Sequence, residues 1–145
     1  MKKLFIAALI ATSLISSSYA TDANKVSYSA KNTLNTHFAG VTDVAWKVNE
    51  TFTKASFQWL GVNTDAFFDA SGNMIGTSKS ATIDQLPLYT KRGLAKRLAG
   101  STITEVIQFD SPEKTYYFIS AEGANENVIL KVDDGMISTF KRTKK

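Results

Sequence analysis

The sequence predicts an α+β fold: a tandem repeat of a helix plus a four-stranded antiparallel sheet, with the two helices packed on one sheet face. Three observations predict it. Two helix-like segments about 60 residues apart both close in Ala-Gly, at Ala39-Gly40 and Ala99-Gly100. After each glycine the apolar spacing changes from every fourth residue to every second, as in half-buried strands. Turn-forming residues then recur in the same order in both halves, and such self-similarity bears on the whole architecture.

The first twenty residues stand outside the repeat. Two lysines (Lys2, Lys3), an apolar run from Leu4 to Ile15 and the ending Ser18-Tyr19-Ala20 form the three-part pattern of a secretory signal. Cleavage is expected before Thr21. The run is too short for a bilayer span, which needs about 20 apolar residues. Residues 21–145 are expected to form a single domain of two repeats, about 25–80 and 84–142. The address is periplasmic or secreted, with no membrane insertion after cleavage. With no cysteine in the chain, a lipid-modified cysteine is excluded and packing alone must hold the fold. Lys2 and Lys3 leave with the signal, so 15 basic residues face 13 acidic ones. Much of the small excess sits in the tail Lys141-Arg142-Thr143-Lys144-Lys145, which reads as a solvated terminus. A basic face with interleaved aromatics is missing, so no nucleic acid is expected as a partner.

In the first helix, apolar residues fall at Val26, Ala30, Leu34 and Phe38; in the second, Leu94 and Leu98 keep that spacing with Lys and Arg between them. Gly40 and Gly100 suit the left-handed cap that stops a helix. The first half then offers Val44-x-Trp46-x-Val48, Ala55-x-Phe57-x-Trp59, Ala66-Phe67-Phe68 and Met74-Ile75. The second offers Ile103 to Phe109, Tyr117-x-Ile119-x-Ala121, Val128-x-Leu130-x-Val132 and Met136-Ile137. Asn49-Glu50, Gly61 and Asp69-Ala70-Ser71-Gly72 punctuate the first set; Asp110-Ser111-Pro112, Gly123 and Asp133-Asp134-Gly135 punctuate the second. Asp84-Gln85-Leu86-Pro87 links the halves, with Asp84 or Gln85 as cap and Pro87 in the first turn of the second helix.

The helix ending Phe38-Ala39-Gly40, the Val44-x-Trp46 strand, the Phe68-Asp69-x-x-Gly72 turn and Leu86-Pro87 together resemble the PepSY-like proteins. These are exported bacterial proteins also described as similar to β-lactamase-inhibitor proteins. The resemblance spans nearly the whole mature chain, though its motifs are short and mostly structural. It implies the tandem helix-plus-four-strand fold and a non-catalytic, binding or inhibitory role, and it carries over no ligand-binding residue.

Catalytic signatures are thin. Thiol chemistry is impossible, and the only histidine, His37, reads as a surface or capping residue near a helix C-terminus. No second histidine exists for an imidazole-rich metal site, and no Gly-x-Ser-x-Gly elbow accompanies the serines. Asp69-Ala70-Ser71-Gly72-Asn73 lacks the distal glutamate of a calcium loop and reads as a turn, as does Asp133-Asp134-Gly135. No enzyme, metal or cofactor is expected.

Aromatic residues are the better lead. Trp46, Phe57, Trp59 and Phe68 alternate so as to face the helices. If Tyr117, Ile119 and Ala121 do the same, Tyr116, Phe118 and Ser120 point the other way, as do Ile129 and Phe67. Lys54, Ser56 and Gln58 give the first half an ordinary solvated face. Tyr116, Phe118, Ile129 and Phe67 are therefore the candidate binding residues, on an open sheet face that would take a protein or peptide. The alternative is a small-molecule or lipid-binding envelope protein with a pocket between helices and sheet.

Overall fold

The computed structural model describes residues 22–145; the expected signal at 1–20 and its cleavage point lie outside them. The first helix, α1 (Tyr28–His37), begins where the Ser27 hydroxyl accepts a bond from the Ala30 N–H at 3.1 Å. It ends as the Phe38 N–H reaches Leu34 O, and Gly40 follows with φ +81°. Four strands come next: β1 (Ala45–Val48), β2 (Thr53–Trp59), β3 (Val62–Phe68) and β4 (Met74–Ser80). A 3-10 turn, Ile83–Gln85, leads to α2 (Leu88–Arg97), then β5 (Thr102–Asp110), β6 (Thr115–Glu122), β7 (Glu126–Asp133) and β8 (Met136–Lys144). Pro87 occupies the N-cap of α2. The expected Asp84 or Gln85 cap is not made there: both residues belong to the 3-10 turn, where the Gln85 side chain accepts from the Thr82 N–H.

The tandem of two four-stranded sheets is not what forms. All eight strands join one antiparallel sheet in the order β1-β2-β3-β4-β5-β6-β7-β8. A separate four-stranded sheet would leave β4 as an edge with unpaired N–H and C=O groups. Instead β4 pairs with β5 from Thr77↔Asp110 to Ser80↔Ile107. The compact units accordingly divide between Ile75 and Gly76, inside β4, rather than at the 80–84 link.

In the first unit Ala30 and Leu34 of α1 bury against Trp46, Ala55, Phe57, Ala66 and Phe68. The four aromatics assigned to the helix side are all found there, Trp59 being only partly buried. Phe38 closes the end of this core, its ring 4.9 Å from Phe57 and 5.2 Å from Trp59. In the second unit Leu94 and Leu98 pack on Val106, Ile119, Ala121, Val128, Leu130 and Val132. Each helix is also tied to a hairpin of its own unit. Thr33 Oγ1 donates to Gly72 O at 2.8 Å, and the buried Thr90 donates to Gly135 O at 3.1 Å.

Candidate binding face

The register of β5, β6 and β7 decides which side chains face away from α2. Tyr117, Ile119 and Ala121 belong with the α2 core, so Tyr116, Phe118 and Ser120 occupy the opposite face of β6. Their neighbours follow from the pairing. Phe118 lies between Ile107 and Lys131, Tyr116 between Phe109 and Asp133, and Ser120 between Glu105 and Ile129.

A β-bulge brings β5 into this arrangement. Ile103 pairs with Ala121 and Glu105 with Ser120, which leaves Thr104 as the extra residue. Ile103 packs on the α2 core, whereas Glu105, Ile107 and Phe109 turn to the far face and Val106 turns back to the core. Strict alternation from Ile103 would have placed Glu105, Ile107 and Phe109 beside α2. A second bulge, where Ile129 pairs with Lys141 and Leu130 with Thr139, brings Phe140 to the Phe118 ring at 5.2 Å, edge to face.

The face direction expected for Tyr116, Phe118 and Ile129 is therefore the one observed, but their exposure is not uniform. Phe118 is 1% exposed and Phe67 likewise 1%, so neither is available on a free surface. On this side Phe118 faces Ile107 across the β5–β6 pair and meets the Phe140 ring, and Ile107 and Phe109 are buried with it. Phe67 belongs to the first unit, where the Phe52 ring meets it edge-on at 5.7 Å. Tyr116 and Ile129 are half-buried. On the matching first-unit strands the solvated reading of Lys54 needs correction. Lys54 is largely buried, its ammonium 3.7 Å from Asp65, while Gln58 donates to Asn63.

Charge around Tyr116 is organised. The Lys131 ammonium sits 4.0 Å from the Tyr116 ring centroid and that of Lys114 5.4 Å. Both lysines also pair with Asp133, Lys114 at 2.6 Å and Lys131 at 3.8 Å. The Lys114 pKa is raised, first by its bond to Asp133.

Glu105 is different. Its Oε2 is buried with no hydrogen-bond partner among the described residues, and burial raises its carboxyl pKa. A carboxyl that binds its proton more tightly when folded loses stability as pH rises through the folded pKa. Replacing it by leucine is expected to stabilise the protein at pH 7 by about 1 kcal/mol. The gain should shrink below the carboxylate range; urea titrations across pH measure it.

His37 lies at the exposed end of α1 with Nδ1 2.9 Å from Thr33 O, a bond in which the ring donates to the carbonyl. The Asp69 turn fills its own carboxylate. Oδ1 accepts from Ser71 N–H and Asn73 N–H, each at 2.9 Å, and Oδ2 accepts from the Asn73 amide. Partial burial opposes ionisation there, yet the Asn73, Ser71 and Gly72 donors together hold the Asp69 pKa below its ordinary value.

Among solved structures the fold has clear counterparts. A DUF2874 family protein from Bacteroides uniformis ATCC 8492 superposes with a TM-score of 0.71 at 15% identity, covering 82% of this chain and 89% of its own. A Bacteroides eggerthii DSM 20697 protein, named as a presumptive periplasmic protein, gives 0.70 at 14%, covering 82% and 88%. A BLIP-like protein from Bacteroides fragilis NCTC 9343 gives 0.66 at 18%, covering 81% and 85%. The β-lactamase-inhibitor-like side of the resemblance thus has its counterpart in the fold, while these neighbours do not confirm the PepSY-like side. No family model and no curated protein matches the chain. Among the described residues, no helix is long and apolar enough to cross a membrane.

Proposed function

We propose that this chain is a non-catalytic binding or inhibitory module of the periplasm or the secreted fraction, and that it takes a protein or peptide. The contact surface is the strand face of the second unit opposite α2. The observation that carries this reading is that Tyr116 and Ile129 stand half-buried beside a buried apolar layer of Ile107, Phe109 and Phe118 on the same strand face. Such a layer holds its contact side chains in fixed positions, which lowers the entropy lost on binding. The helix-facing sides are filled by tightly buried side chains, which favours this face over a pocket beneath the helices. The BLIP-like neighbour supports a protein partner, and the Bacteroides eggerthii neighbour supports the periplasm.

The test uses the protein beginning at Thr21, immobilised and exposed to periplasmic extract. A saturable partner is expected, and Tyr116→Ser with Ile129→Ser should weaken its capture about tenfold or more while circular dichroism stays unchanged. Undiminished capture by the folded double variant would remove this face from the binding site.

A further inference from the structure

Glu105 sits in the row Glu105–Ser120–Ile129–Lys141 across β5 to β8, on the face assigned to binding. The Thr104 bulge aims it there, and one carboxylate oxygen is buried without a donor. The basic groups of the face are engaged or distant. Lys131 and Lys114 pair with Asp133 beside Tyr116, and Lys141 stands three strands away, about 14 Å at normal strand spacing. One oxygen is closed off without a donor, which destabilises the free protein, while the residue as a whole is half-exposed, so that a cation at its accessible side stabilises the charge only in the complex. Further along the row, Ile129 on β7 and Phe140 on β8 are apolar and half-buried, suited to apolar residues that follow the basic one in the bound segment.

We propose that Glu105 is the anchor for a lysine or arginine side chain of the bound protein or peptide, whose segment crosses the strands and sets apolar neighbours against Ile129 and Phe140. This assignment rests on the sheet-face reading above and adds the chemistry of the partner. A basic residue next to apolar ones is the signature it selects, and an acidic residue there meets the buried carboxylate and is rejected.

The probe is a random dodecapeptide library displayed on phage, selected in parallel on the protein from Thr21 and on its Glu105→Gln variant. Glu105→Gln keeps the shape and removes the charge, and its circular dichroism should match the parent. Peptides selected on the parent should be enriched in Lys or Arg flanked by apolar residues. Changing that basic residue to glutamine should weaken binding to the parent about tenfold and change binding to Glu105→Gln little, because the pair is already broken. Selected peptides that lose affinity on Tyr116→Ser and Ile129→Ser but show neither basic enrichment nor coupling to Glu105 overturn the anchor and leave the face intact. Peptides indifferent to all three substitutions, or no enrichment at all, overturn the face itself and the anchor with it.

Discussion

Phe118→Ala is expected to destabilise the protein by about 3–5 kcal/mol, the range for emptying a buried aromatic site. Small domains hold only about 5–15 kcal/mol in total, so one side chain accounts for a large fraction. The reason lies in the two-sided burial of β6. Ile119 is fully enclosed on the α2 side, and Phe118, 1% exposed, is enclosed on the other by Ile107, Phe109 and the edge of Phe140. Removing the ring leaves a cavity that Ile107 on β5 and Phe140 on β8 cannot close without shifting the sheet. Tyr116→Ala, at a half-buried position, should cost about 1 kcal/mol, mainly through the lost Lys131 contact. Urea titrations of both variants separate the cases. A Phe118→Ala loss within 1 kcal/mol of that for Tyr116→Ala would mean that the far-face layer is not part of the folded core. Because the ring is buried, lost capture in a Phe118→Ser variant would report lost structure rather than a lost contact.

The helix segments and most strand positions were legible because their periodicities are strong and local. Val26, Ala30 and Leu34 align on one face, and Trp46, Phe57 and Phe68 alternate onto the side that α1 covers. What escaped was decided by pairing between distant strands. The joining of β4 to β5 depends on backbone groups that every sequence carries, so the apparent repetition suggested two sheets where one forms. The bulges at Thr104 and Phe140 each shift a strand by one residue, and no Gly or Pro marks either place. The one available signal was the adjacent apolar pair Val106-Ile107, which breaks alternation and fits a strand buried on both faces. The face direction of Tyr116 and Ile129 was legible because β6 and β7 keep strict alternation through their central pairs. The direction of Glu105 was not legible because it is set by a bulge, and the burial of its unpartnered oxygen depends on packing between strands.

Gly72→Ala is expected to cost about 3 kcal/mol, combining a left-handed backbone penalty of about 1 kcal/mol with an overpacking cost of about 2. Gly72 has φ +83°, and a Cβ there would stand 2.5 Å from Ser29 Oγ, 2.6 Å from Ser29 Cβ and 2.7 Å from the Ala30 backbone nitrogen. The serine can rotate its hydroxyl away, but the Cβ and the helix backbone cannot yield without moving α1 from the hairpin. Gly61 supplies the internal comparison, since it has φ +79° and nothing within 4 Å of its would-be Cβ. Gly61→Ala therefore carries the backbone penalty alone, and the difference between the two variants measures the close approach. A second measurement tells displacement from simple strain. The Gly72 carbonyl accepts the Thr33 hydroxyl at 2.8 Å, a bond worth about 1 kcal/mol that Thr33→Val removes. If alanine at 72 pushes the hairpin off α1, that bond is already lost, and Thr33→Val should add little in the Gly72→Ala background. Full additivity of the two losses would show the hairpin still seated, with the cost confined to the turn.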